Sequence, residues 1–246
     1  MSHIHINFEH VNYSYEKTVP ILQDITFTAH ENDSIGLIGA NGVGKSTLLK
    51  LLVGLNPDYE GSIRVEEMPV VKEMLPKVRE KIGYVFQDSD SQLFMSTVFE
   101  DVAFAPRNYG LPETEVEQRV SRALEQIHIG HLRDKQIYKL SGGEKKMASI
   151  ATILAMTPDI ILMDEPSIAL DPKNRRTLIH ILNDFEHLKI IASHDLDMIL
   201  ETCNRVILMA GGRIVCDGDT KEILTNRELL EANGLELPFC LQKPVW

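Results

Sequence analysis

A chain of 246 residues has room for one large α/β domain with a subdomain and is too short for two full nucleotide-binding modules. Acidic residues outnumber basic ones 36 to 25, giving a net charge of −11, so no overall basic field exists to hold a nucleic-acid backbone, and no nucleic-acid partner is expected. No apolar run approaches the ~20 residues of a bilayer-spanning helix, the N-terminus lacks the basic-then-apolar layout of a signal peptide, and a soluble, cytosolic chain is expected.

Ile4, Ile6 and Phe8 alternate with His3, His5 and Asn7, the period-two pattern of a strand exposed on one side. A second strand is predicted from Ile21 to Thr28. The polar turn His30-Glu31-Asn32-Asp33 then leads to a short buried strand, Ser34-Ile35-Gly36-Leu37-Ile38. That strand runs into Gly39-Ala40-Asn41-Gly42-Val43-Gly44-Lys45-Ser46-Thr47, which fills the pattern G-x-x-x-x-G-K-[ST], and a helix from Ser46 to Leu52 follows. Closely spaced glycines let successive N–H groups point into one concavity, where phosphate oxygens accept their hydrogen bonds. The helix N-terminus adds partial positive charge. Lys45 would reach the β- and γ-phosphates as a point charge, and the Ser46 hydroxyl would ligate Mg²⁺. The alternative is a glycine-rich turn that only joins strand to helix; the filled positions, with strand and helix on the proper sides, favour a nucleotide triphosphatase.

Further along, Val116, Val120, Ala123, Leu124 and Ile127 fall at helical spacing from Glu113 onward, and another helix should follow Ser141. The apolar run Ile160-Ile161-Leu162-Met163 reads as a strand; Leu178, Ile181, Leu182 and Phe185 mark a helix, and Ile190-Ile191-Ala192 one more strand. Val206 to Met209, Gly211-Gly212 and Arg213 to Cys216 read as a hairpin, and the tail from Asn226 to Trp246, with Pro238 and Pro244, as a short helix and an irregular end. The order is strands, a helical insertion, then alternating strand and helix.

Two carboxylates, Asp164-Glu165, end the apolar strand. If that strand lies beside the phosphate-loop strand, Asp164 is placed to hold Mg²⁺ directly or through water, and Glu165 to polarise the attacking water as general base. An Asp-Glu pair alone is a common surface feature; the apolar run before it, and Pro166 with Ser167-Ile168-Ala169-Leu170-Asp171 after it, favour chemistry. His194, in Ala192-Ser193-His194-Asp195, ends the next strand and can donate to a γ-phosphate or orient the water; otherwise it only caps the strand. Cys203, Cys216 and Cys240 show no paired spacing for zinc or redox chemistry.

The string Leu140-Ser141-Gly142-Gly143-Glu144 closely resembles the signature motif of ABC ATPases. The phosphate loop, Gly83-Tyr84-Val85-Phe86-Gln87 in the Q-loop position, Asp164-Glu165 and His194 stand in that family's order around it. The resemblance implies an α/β fold of the ABC ATPase type: a P-loop NTPase (RecA-like) core with an N-terminal antiparallel β subdomain and a helical subdomain at about 88–150, the whole domain covering 1–225, with 226–246 a short tail. It further implies a head-to-tail homo- or heterodimer that sandwiches two ATP molecules with Mg²⁺. Each nucleotide would lie between Gly39 to Thr47 of one subunit and Ser141, Gly142, Gly143 and Glu144 of the other. A helix starting at Ser141 would aim its free N–H groups at the γ-phosphate. Tyr15 matches the family's adenine-stacking aromatic, with Tyr13 the rival, and Asp171 occupies the D-loop position. Catalysis would rest on Glu165, His194 and Gln87, and metal binding on Ser46, Gln87 and Asp164. Glu144 stands where many members have Gln; it keeps a polar side chain of similar length, and activity is expected to survive.

Asp88-Ser89-Asp90-Ser91-Gln92-Leu93-Phe94 resembles an additional Gln-containing segment of the energy-coupling-factor (ECF) transporter ATPases, with Ser89 where that group commonly has Pro. Arg213 to Asp219 and Gly234-Leu235-Glu236-Leu237-Pro238 also look like that group. The implied partners are a transmembrane coupling subunit, whose cytoplasmic helices dock near Gln87 to Phe94, and a substrate-binding membrane subunit. The chain would then sit peripherally on the cytoplasmic face of the cell membrane. The short tail after Pro238 resembles the dedicated metal-ion members more than the longer-tailed shared vitamin modules, which ranks cobalt or nickel import first and vitamin import second. A non-transport ABC ATPase would share the catalytic set, but long coiled-coil insertions, a tandem second domain and a basic face are missing; a P-loop kinase has no use for Leu140 to Glu144.

Overall fold

A computed structural model of the chain describes residues 4–16 and 19–242; His3, Pro244 and Trp246 of the expected strand and tail lie outside them. The strands are β1 (Ile4–Tyr13), β2 (Leu22–His30), β3 (Ser34–Ile38), β4 (Glu60–Val65), β5 (Met68–Pro69), β6 (Ile82–Val85), β7 (Ile160–Asp164), β8 (Leu188–Ala192), β9 (Arg205–Ala210) and β10 (Arg213–Asp219). The helices are α1 (Lys45–Leu52), α2 (Leu75–Lys81), α3 (Val98–Asn108), α4 (Glu113–Gln126), α5 (Gly142–Leu154), α6 (Pro172–Asp184), α7 (Leu196–Thr202), α8 (Thr220–Thr225) and α9 (Arg227–Ala232). Two compact units result: Met1–Ile82 with Glu186–Trp246, and Gly83–Phe185.

In the first unit, an antiparallel sheet runs in the order β2-β1-β4-β5. Ile6 and Phe8 of β1 are buried as the alternation requires, and Phe8 stacks on Phe27 of β2 with ring centroids 4.8 Å apart. Strand β3 pairs in parallel with β8 on one edge and β9 on the other, while β10 returns antiparallel to β9. Strands β3 and β8 are buried along their whole length, which explains their near-continuous apolar sequences. Since both edges of β3 are taken, β7 with Asp164-Glu165 is not its neighbour. The sequence expectation is corrected here because strand order is a long-range property that local patterns do not encode.

Strand β9 turns into β10 through Gly211 and Gly212, both at positive φ (55° and 76°), the two-residue hairpin expected from the sequence. The turn also secures β2: the Gln23 N–H donates to the Gly212 carbonyl at 2.8 Å, and a Cβ at Gly212 would lie 2.5 Å from the Ile21 carbonyl oxygen. The tail folds back on the same unit, where the Asp197 carboxylate in α7 accepts the N–H groups of Phe239 and Cys240, both at 2.9 Å. Cys203 at the end of α7 is buried, which pushes its thiol up to about 11 and keeps it unreactive, whereas Cys240 is exposed.

In the second unit, α4 buries Val116, Val120, Ala123 and Leu124 along the predicted stripe. Helix α3 starts with a reciprocal capping box between Thr97 and Glu100, and α5 with another between Ser141 and Glu144. Helix α6 is capped by Asp171, opens with Pro172, and buries Leu178, Ile179 and Leu182, with Ile181 and Phe185 only half-buried. Each fully buried aliphatic side chain contributes roughly 1.5–3 kcal/mol, so the apolar faces of α4, α5 and β7 supply a large share of this unit's cohesion.

Candidate nucleotide site

The phosphate loop begins where β3 ends. Gly39, Gly42 and Gly44 have φ of 150°, 78° and 104°, so the backbone curls through conformations that side chains disfavour. Two of the three are also sterically locked. A Cβ at Gly39 would lie 2.3 Å from the Met209 carbonyl oxygen, and one at Gly44 would lie 2.6 Å from Leu22 Cδ2, while a Cβ at Gly42 would point into open space. The curl is therefore packed from behind by β9 and β2 and open on its other side. Gly44 leaves the N-terminus of α1 without a side-chain cap.

Lys45, the first residue of α1, is buried, and its Nζ donates to the carbonyls of Gly39 (2.7 Å) and Ala40 (3.2 Å). The same ammonium lies 3.2 Å from His194 Nε2. His194 reaches this point because Leu37 of β3 registers with Ala192 of β8, and the Ser193 N–H donates to the Leu37 carbonyl at 3.3 Å. Thr47 Oγ1 lies 3.1 Å from the Tyr15 hydroxyl. Of the two aromatic candidates, Tyr13 is packed away at 8% exposure and meets Tyr15 edge-on at 5.1 Å, while Tyr15 is 57% exposed and able to stack on a base. Ser46 is half-buried, Asn41 is exposed, and the tail reaches the loop: a Cβ at Gly234 would lie 3.7 Å from Ala40 Cβ.

The second unit holds the other candidates. Asp164 and Glu165 are buried at the end of β7, and the Tyr84 hydroxyl donates to Asp164 Oδ2 at 3.3 Å. Glu165 has φ 47°, a left-handed conformation that costs a non-glycine residue roughly 1–2 kcal/mol and is held only where surroundings impose it. Gln87 is exposed just beyond β6. Ser141 and Gly142 are exposed at the N-terminus of α5. Asp171 accepts from the Asn174 N–H at 2.7 Å and so caps α6.

Glu144 is committed within its own helix. Its carboxylate accepts the Ser141 N–H at 2.7 Å and both oxygens take Lys135 Nζ, at 2.9 and 3.0 Å. The Lys135 ammonium, and after it the Ser141 N–H, hold this carboxyl below the ordinary range, so Glu144 caps α5 as an anion. Sequence reasoning missed Lys135, and it also missed Lys146, whose Nζ donates to the carbonyls of Phe86 (3.0 Å) and Gln87 (2.7 Å). A lysine in helical register with the apolar Ile150 and Ile153 was the signal available for the latter.

These residues fit a nucleoside triphosphate and its magnesium. The open face of the curl at Gly42, the uncapped start of α1 and the Lys45 ammonium suit phosphate oxygens. The Ser46 hydroxyl beside Lys45 is a hard oxygen donor of the kind magnesium takes.

Comparison with known proteins agrees with this geometry. A family model described as "ABC transporter" matches residues 22–168. A Geobacter sulfurreducens protein named as an ABC transporter ATP-binding protein is 49% identical over 242 residues, covering 98% of this chain and 97% of that one. The energy-coupling factor transporter ATP-binding protein EcfA of Carboxydothermus hydrogenoformans is 40% identical over 96% of this chain and 88% of its own length. Among solved structures, CbiO1 of Clostridium perfringens, part of the ABC transporter complex CbiONQ, superposes with a TM-score of 0.80 at 35% identity, covering 94% of each chain. With the phosphate loop, the capped signature helix and the family match in agreement, the chain belongs to the ABC transporter family as an ATP-binding subunit and ATP hydrolase with a P-loop NTPase fold.

Proposed function

We propose that the chain drives an ECF-type importer, working as a dimer on two ATP molecules with Mg²⁺ at the cytoplasmic face of the membrane. The observation that carries the importer reading is a cavity of about 370 Å³ in the second unit, lined by Leu93, Phe94, Met95, Ile137 and Tyr138 with Asp90 and Lys145 at its rim. Phe94 is 64% exposed there and meets Phe104 edge-on at 4.7 Å, an apolar anchor of the kind a partner helix covers. This wall is built, not loose: buried Asp101 accepts the N–H groups of Phe94 (3.1 Å) and Met95 (3.2 Å). It coincides with the segment that resembles the ECF group, and relatives named for energy coupling support the same partner, a membrane coupling subunit with a substrate-binding membrane subunit. Cobalt or nickel ions are the proposed cargo, and a vitamin is the second reading.

In the proposed cycle, Gly39 to Thr47 wrap the phosphates, Lys45 neutralises their charge, and Tyr15 stacks on the base. Bound magnesium would polarise the terminal phosphate, with Ser46, Asp164 and Gln87 as its protein ligands. Glu165 takes a proton from the attacking water, and His194 orients the terminal phosphate. Ser141, Gly142 and Gly143 of a second subunit close over the nucleotide, with Glu144 fixing their cap and Asp171 at the junction between the two sites. Reconstituted with the membrane proteins that co-purify with it, the chain should support ATP-dependent uptake of cobalt or nickel. The Glu165→Gln variant should keep ATP affinity and lose hydrolysis by about 100-fold or more. Hydrolysis near the unmodified rate overturns the role of Glu165, and uptake of a vitamin in place of the metal ion selects the second reading.

A further inference from the structure

We infer that Lys146, seconded by Gln92, is a positioning residue: the two side chains clamp the backbone of the Gln87 segment onto α5, so that Gln87 and the signature end of that helix move as one body. The inference rests on the proposed role of Gln87 at magnesium and water.

The clamp is visible as a ladder along one face of α5. Lys145 Nζ pairs with Asp90 at 2.5 Å; one position on, Lys146 Nζ holds the Phe86 and Gln87 carbonyls. One turn later, Ser149 Oγ lies 3.5 Å from Ser89 Oγ, and the Ser149 carbonyl accepts Gln92 Nε2 at 2.7 Å. Gln92 Nε2 also donates to Thr152 Oγ1 at 2.8 Å, and Gln92 Oε1 accepts the Phe86 N–H at 3.1 Å. Phe86 is thus held at both its N–H and its carbonyl, and Gln87 by its carbonyl, while the Gln87 side chain stays exposed.

Lys146 is an unusual choice for stability alone. It is 2% exposed, and burying an ammonium is unfavourable unless strong acceptors and opposite charge surround it. Burial pushes its pKa down, and the carboxylates of Asp164, Asp88 and Glu165 push the other way, so the ammonium sits in the field of the candidate catalytic acids. A lysine needed only to tie a loop to a helix could do so from the surface, as Lys145 does with Asp90. The buried placement puts a donor on the Gln87 carbonyl and a charge in the field of Asp164 and Glu165.

The test uses the full chain with MgATP and three readouts: kcat, affinity for a fluorescent ATP analogue, and amide hydrogen exchange by peptide. Lys146→Met fills the same volume without the donor. It should lower kcat about 10-fold or more with analogue affinity changed less than about three-fold. Exchange in the peptide carrying residues 86–92 should rise about 10-fold while the phosphate-loop peptide holds its rate. Lys146→Gln, which can still donate to the carbonyls, should recover part of both losses. A folded Lys146→Met with kcat within about two-fold of the unmodified chain, or with lowered kcat and unchanged exchange at 86–92, overturns the clamp. Should Lys146→Met not fold, Gln92→Ala is read by the same criteria and carries the decision. Glu165→Gln is run beside them: if it too keeps turning over, the proposed catalytic role of Glu165 has failed rather than the clamp.

Discussion

Lys45 shows how much one side chain decides at this site. Its ammonium is already drawn into the curl by the Gly39 and Ala40 carbonyls, so it is preorganised where phosphate charge would arrive. An ammonium has no lone pair, so a hydrogen bond across this 3.2 Å contact runs from Lys45 Nζ to His194 Nε2. To donate to a phosphate through Nε2, His194 must give up this contact and carry its proton there, so nucleotide arrival and the breaking of the Lys45–His194 contact are linked. Charge-assisted hydrogen bonds contribute about 1.5–3 kcal/mol, so Lys45→Ala should weaken ATP affinity by roughly 10- to 100-fold. Equilibrium titration with a fluorescent analogue reads this directly, and unchanged affinity would remove Lys45 from the phosphate site.

At the scale of the element, α5 depends on a charge relay from Lys135 through Glu144 to the Ser141 N–H. Because Glu144 is held below the ordinary carboxylate value of 4.5, the unfolded chain binds its proton at higher pH than the folded chain does. The stabilisation is therefore complete above that value and is lost as pH falls through the depressed folded value. Lys135→Met should lower the melting temperature by about 1–4 °C near neutral pH, since partly exposed pairs contribute up to about 1 kcal/mol. The gap between the two proteins should narrow below about pH 4. A gap that stays constant with pH would mean that Lys135 supports α5 by packing instead of charge. Helix α5 was legible because Ser141 and Glu144 stand at cap spacing before an apolar stripe, and β3, β7 and β8 because each carries a short, mainly apolar run. Helix α3 was missed although Thr97 and Glu100 form the same box, because Pro106 near its end reads as a helix breaker. The neighbours of β3, and the partners of Lys135 and Lys146, were illegible because they join residues far apart in the chain, a relation no local spacing records.

For the whole molecule, the net charge of −11 makes two copies repel at long range, so a dimer must be held by a strong local anion site. With hydrolysis blocked by Glu165→Gln, the chain should run as a dimer in size-exclusion chromatography with light scattering when ATP and magnesium are present, and as a monomer without them. A monomer under both conditions would contradict the sandwich reading. The cap of α5 bears on this association. The Ser141 hydroxyl oxygen accepts the Glu144 N–H at 3.3 Å, which occupies a lone pair and leaves its hydrogen unspent. Aspartate would cap the helix equally well but has only lone pairs to offer. Serine keeps a proton to give, so in the proposed dimer the atom that finishes one subunit's helix is also the one that greets the other subunit's phosphate; Ser141→Asp should spare the fold and turn that handshake into a repulsion.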